Sequence, residues 1–171
     1  MKENKGAVTF QGNPLTLLGK VVKGGDDAPD VELVKNDLSP FKLSSLRGKV
    51  CVMLSVPSLD TPVCDTETRK FNKAIEDLDS DVHLLAISMD LPFAQARWCG
   101  AAGVKVVQTL SDYREASFGH EYGLLIKELR LLARAVIIVD REGDVKYVEL
   151  IKEITDEPDY ARALEKVKTL L

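Results

Sequence analysis

Long apolar runs are missing from this sequence: no uninterrupted stretch approaches the roughly 20 residues of a membrane span. The polar start Met1-Lys2-Glu3-Asn4-Lys5-Gly6 is not followed by the apolar core of a signal peptide, so a cytoplasmic chain with no membrane partner is expected. Positive charge is in deficit, with 23 Lys and Arg against 27 Asp and Glu, a formal net charge of −4 and a pI near 5.3. Phosphate backbones call for a basic patch, so a nucleic-acid partner is not expected. Histidine is scarce, and the three cysteines, Cys51, Cys64 and Cys99, lie 13 and 35 residues apart with no C-x-x-C pair. Neither His83 nor His120 stands at ligand spacing from a cysteine or from the other, which argues against a metal site. In a reducing compartment a permanent structural disulfide is also unexpected, leaving the thiols free or catalytic.

What is present is ordinary for a globular protein: 45% apolar and 29% charged residues in 171, enough for one well-buried core. One domain over residues 1–171 is expected, because no repeat, low-complexity segment or long linker interrupts the chain. Ala7–Phe10 and Leu15–Leu18, around Gly12-Asn13-Pro14, read as an N-terminal hairpin. Val31–Val34 and Phe41–Leu43 are short strand candidates, with a turn at Ser44–Gly48. The apolar run Lys49–Val56 has the length and pattern of a strand buried on both faces, as does Val82–Ser88.

Helices are expected after Thr61, from Pro92 to about Ala101, near Arg114–His120, and from about Pro158 to Leu170. The last of these should bury Tyr160, Leu164 and Val167. Lys105–Leu110 reads as a strand, and Ala135–Val139 and Val145–Leu150 as a hairpin turning at Gly143. This order implies an α/β protein with a mixed sheet flanked by helices, satisfied by a thioredoxin-like fold with an added N-terminal hairpin.

Chemistry concentrates in Pro57-Ser58-Leu59-Asp60-Thr61-Pro62-Val63-Cys64. Thr61 is a good N-cap and Pro62 suits the first helical position, while Phe71, Ala74, Ile75 and Leu78 recur at helical spacing. Cys64 then occupies the third helical position, where a capping box would place Glu or Gln. Unpaired N–H groups and the helix dipole there favour thiolate over thiol, and a thiolate is a nucleophile. The alternative is a buried cysteine that fills space.

Cys99, in Arg97-Trp98-Cys99-Gly100, is either a core residue at a helix end or a second thiol able to reach the first. Cys51, inside a Val/Met/Leu strand, reads as packing. Arg134 interrupts the apolar run Leu131–Ile137, where a guanidinium wants an anion, unless it reaches solvent at a strand edge or pairs with a structural carboxylate. Asp60 and Glu67 are explained by the helix dipole, and His120 is read as structural.

Pro57-x-x-x-Thr61-x-x-Cys64 resembles the P-x-x-x-T/S-x-x-C motif of peroxiredoxins, most closely their bacterial thiol peroxidase subfamily. The likeness extends over nearly the whole chain, including Arg97–Gly100 and Tyr122–Arg134. It implies a peroxidase in which Cys64 attacks the terminal oxygen of hydrogen peroxide or an organic hydroperoxide. The resulting sulfenic acid is resolved by Cys99 as an intramolecular disulfide, with thioredoxin as reductant and no cofactor. By the same resemblance Thr61 hydrogen-bonds peroxide and thiolate, Pro57 shields the pocket, Arg134 orients the peroxide and stabilises the thiolate, and the protein is a homodimer. Pro62 stands where several relatives carry Gly. A peroxide-responsive redox sensor using the same disulfide is the alternative, distinguished by slow steady-state turnover.

Overall fold

The computed structural model describes residues 1–78 and 81–171. In chain order it contains β1 (Glu3–Phe10), β2 (Asn13–Leu18), β3 (Glu32–Val34), β4 (Pro40–Lys42), β5 (Val50–Ser55), α1 (Pro62–Glu76), β6 (Val82–Ser88) and α2 (Pro92–Ala102). There follow β7 (Val107–Ser111), α3 (Ser117–Glu121), β8 (Leu125–Ile126), β9 (Leu131–Leu132), β10 (Ala135–Val139), β11 (Val145–Leu150) and α4 (Tyr160–Thr169).

Seven strands form a mixed sheet in the order β11-β10-β5-β6-β7-β3-β4, with β5, β6 and β7 parallel and β10 antiparallel to β5. The central strands lack polar alternation because both their faces are covered. Along β5, Val50, Val52 and Leu54 meet Phe71 and Ile75 of α1 and Ala163 and Val167 of α4. Cys51 and Met53 point to the other face, among Leu17, Phe118, Leu125 and Leu132. Period-two alternation therefore puts Cys51 and the Cys64 helix on opposite sides of the sheet. On the α1 side, complete burial of Phe71 alone contributes about 1.5–3 kcal/mol to docking that helix.

The N-terminal hairpin forms as expected, and β2 pairs with β8 to make a separate four-stranded sheet, β1-β2-β8-β9. The two-residue strands β8 and β9 carry too little pattern to be recognised from sequence, and only their pairing defines them. One expectation changes. In α4, Ala163 is completely buried beside Val167, whereas Tyr160 and Leu164 are half-buried.

Gly123 precedes β8 and packs against the backbone that follows β2. Its φ is +72°, and a Cβ added there would lie 2.3 Å from the carbonyl carbon of Lys20, closer than any side chain tolerates. Gly123→Ala should therefore lower stability by about 2–4 kcal/mol in urea unfolding. Gly24→Ala, with open space around it, should leave the unfolding midpoint nearly unchanged.

Candidate active site

The segment from Val56 to Asp60 leaves the end of β5 and turns into α1, and its shape is set by a carboxylate on the neighbouring strand end. Asp90 accepts from Ser58 Oγ at 2.7 Å, from the Leu59 N–H at 2.8 Å and from Ser88 Oγ at 2.8 Å. Leu59 and Pro57 are both buried, closing the apolar side of the turn. Thr61 is the N-cap residue of α1 in backbone terms, with φ −117° and ψ 148°. Its hydroxyl donates to the Ser58 carbonyl at 3.0 Å and makes no capping bond to α1, contrary to the sequence expectation. Pro62 opens the helix and Cys64 is its third residue, as expected.

Cys64 is completely buried, and Arg134 Nη2 donates to its sulfur at 3.1 Å. Arg134 stands where the chain crosses from β9 of the small sheet to β10 of the large one. Ser55 Oγ donates to the Ala133 carbonyl at 2.8 Å, and the Ile151 N–H donates to the Arg134 carbonyl at 3.0 Å, fixing that crossing beside the end of β5. The guanidinium is itself 2% exposed and also donates from Nε to the Ile154 carbonyl at 2.8 Å. A buried cation is costly without an anion or full hydrogen bonding, and this one gives one N–H to a carbonyl and another to a sulfur.

The chain matches the redoxin family over residues 23–164. It is 52% identical over 165 residues to a thiol peroxidase of Halalkalibacterium halodurans, covering 96% of this chain and 99% of that protein. It is 49% identical over 164 residues to a thiol peroxidase of Bacillus subtilis, covering 96% and 98%. The chain belongs to the redoxin family, among its thiol peroxidases. The crystal structure of a peroxiredoxin-like protein from Aquifex aeolicus superposes with a TM-score of 0.90 at 46% identity over 96% of both chains. The mixed sheet flanked by helices is thus the thioredoxin-like fold expected of a redoxin, with the hairpin β1-β2 added.

In this redoxin site the second cysteine stands apart. Cys99 is helical in α2, half-buried, and its sulfur lies 3.3 Å from Thr109 Oγ1 on β7. Cys64 and Cys99 are both free thiols, each sulfur turned to a different partner. Their helices are nonetheless joined by the residues next to them: Trp98 Nε1 donates to Asp65 Oδ1 at 2.8 Å, and Arg69 Nη1 donates to the Ala102 carbonyl at 3.2 Å. Cys51 is 5% exposed on the far face of the sheet, where burial pushes its thiol up to about 12, consistent with packing. His120, half-buried in α3, stays outside the site.

Glu67 is the residue that sequence reasoning placed wrongly. It lies beyond the first turn, where Asp65 is the acidic residue, so the helix dipole does not explain it. It is completely buried, one helical turn from Cys64 on the same face, with Oε2 3.5 Å from Arg134 Nη1 and neither oxygen hydrogen-bonded. Burial, opposed by the attraction of Arg134, pushes its carboxyl up to about 8. Burial thus favours the protonated acid and weakens its claim on the charge of Arg134. The i,i+3 spacing from Cys64 was the available signal, since it places both side chains on one helix face.

A carboxyl raised from 4.5 unfolded to about 8 folded makes the native state bind the extra proton between those values. Its contribution is complete below the unfolded value and is lost as pH rises through about 8. Glu67→Gln should therefore flatten the fall in urea-unfolding stability between pH 5 and 9. An equally steep fall in the variant would contradict a neutral Glu67.

Proposed function

We propose that this redoxin is a thiol-dependent peroxidase in which Cys64 is the attacking thiolate. The observation that carries the assignment is the buried Arg134 Nη2 to Cys64 Sγ contact of 3.1 Å at the start of α1. A guanidinium donor beside the sulfur favours negative charge there. The Cys64 sulfur attacks the terminal oxygen of hydrogen peroxide or an alkyl hydroperoxide, the S–O bond forms, and the O–O bond breaks. Hydroxide or alkoxide departs and takes a proton, leaving water or an alcohol and a Cys64 sulfenic acid. Arg134 can spread the charge developing on the breaking bond, as oriented donors do in other sites.

The hydroxyl of Thr61 is committed to Ser58 in the resting protein, so its role toward peroxide requires that bond to exchange when substrate enters. Pro57, buried beside Leu59, excludes water from the sulfur. Cys99 then resolves the sulfenic acid: the S–S bond forms, the S–O bond breaks, and water leaves. A dithiol protein such as thioredoxin reduces the disulfide. The chemistry runs on sulfur and needs no cofactor. A homodimer working in the cytoplasm completes the proposal; among the described residues no helix is long and apolar enough to cross a membrane.

Cys64→Ser should abolish peroxide consumption, and retained turnover would sink the assignment. Arg134→Met should lower kcat/KM for peroxide about 10²–10³-fold, the usual effect of losing one oriented donor. Peroxide titration followed by mass mapping should find a Cys64–Cys99 bridge with Cys51 reduced. A bridge containing Cys51 would overturn the pairing.

A further inference from the structure

The thiol of Cys99 is held by a short chain of hydrogen bonds that the peroxidase chemistry does not use. Its sulfur lies 3.3 Å from Thr109 Oγ1, and Thr109 Oγ1 donates to Asn36 Oδ1 at 2.9 Å. A threonine hydroxyl has one proton and two lone pairs. With its proton given to Asn36, the Thr109 oxygen can only accept from the sulfur. The contact is therefore S–H to O.

The chain crosses three elements. Asn36 sits in the turn between β3 and β4, which is closed by bonds from the Lys35 N–H to the Ser39 carbonyl and from the Leu38 N–H to the Lys35 carbonyl, both 2.9 Å. Thr109 is 2% exposed within β7, and Cys99 belongs to the last turn of α2, whose carbonyl accepts from the Gly103 N–H at 3.1 Å. Cys99, Thr109 and Asn36 also line a cleft with Lys35 and Lys105. A 3.3 Å contact from a thiol, a weak donor, at the edge of such a cleft is strong enough to orient a side chain and weak enough to release it.

We propose that Thr109 and Asn36 form a latch that positions the Cys99 side chain in the reduced protein, so that opening the latch limits how fast Cys99 reaches the Cys64 sulfenic acid. This rests on the assignment of Cys99 as the resolving residue. In the resolving step Cys99 gives up its thiol proton, and its sulfur attacks the Cys64 sulfur. The S–S bond forms, the S–O bond breaks, and the oxygen leaves as water with that proton. Cys99 is oxidised and the Cys64 sulfenic sulfur is reduced. Until then the sulfenic acid stays open to a second peroxide, which converts it to sulfinic acid. Thr109 is thus a positioning residue that exchanges speed of resolution against order in the reduced state.

The test is a single turnover of the full chain with one equivalent of hydrogen peroxide. Formation of the sulfenic acid and then of the disulfide is followed by the fluorescence of Trp98, the sole tryptophan, and checked by quenched-flow mass mapping. Thr109→Val should speed disulfide formation about two- to tenfold, the range that one hydrogen bond commands, with the first phase unchanged. Thr109→Ser should restore the wild-type second phase. Asn36→Ala, at a half-exposed turn, removes the acceptor that orients the Thr109 hydroxyl but leaves the Cys99–Thr109 contact, and should speed the second phase less than Thr109→Val does. Disulfide formation at the wild-type rate or slower in Asn36→Ala and in folded Thr109→Val overturns the latch. Disulfide formation surviving Cys99→Ser would instead overturn the resolving role on which the latch depends.

Discussion

A single buried guanidinium organises this molecule. Arg134 is held by the Ile154 carbonyl, donates to the Cys64 sulfur and faces a carboxyl that burial biases toward the protonated form. Were Glu67 ionised, cation and carboxylate would neutralise each other and the sulfur would compete for what remained. Because desolvation outweighs the attraction of Arg134 at Glu67, the carboxyl's claim on the cation is weakened in favour of the sulfur. The arrangement requires the end of β5, the start of α1 and the β9–β10 crossing to meet at one point, and the antiparallel pairing of β5 with β10 supplies that meeting.

The same residues that build the site hold both cysteine segments in their helical form. Asp90 binds the turn before α1, Asp65 receives the indole N–H of Trp98, and the Cys99 sulfur rests against Thr109. The proposed Cys64–Cys99 bridge needs the two Cα atoms within about 7 Å, and both cysteines lie in helices with their sulfurs turned to different partners. The contacts opposing their approach are these polar bonds together with the burial of Leu59, Cys64 and Thr109.

Most of the large sheet was legible because strands buried on both faces read as continuous apolar runs. The run Lys49–Val56 became β5 and Val82–Ser88 became β6 with its bounds unchanged. The small sheet was not legible as a sheet. Two residues each of β8 and β9 have no period to detect, and the pairing of β2 with β8 joins segments more than 100 residues apart in the chain. At Thr61 local chemistry described the backbone correctly and the hydroxyl incorrectly. Capping propensity knows only neighbours along the chain, and the Ser58 carbonyl won the proton because Asp90 shapes the preceding turn.

The sequence by itself determined the position of Cys64 at the third residue of a proline-initiated helix after a buried strand. These are consequences of local rules: capping, the fixed φ of proline and the two periodicities of regular structure. Only the tertiary structure decided which charges the sulfur meets. Arg134 lies 70 residues from Cys64 in the chain yet donates to it, and Glu67, three residues away and explained by the helix dipole from sequence, is completely buried with its carboxyl pushed up. Protonation depends on desolvation and on distances between groups remote in sequence, and both exist only once the sheet has closed over the site.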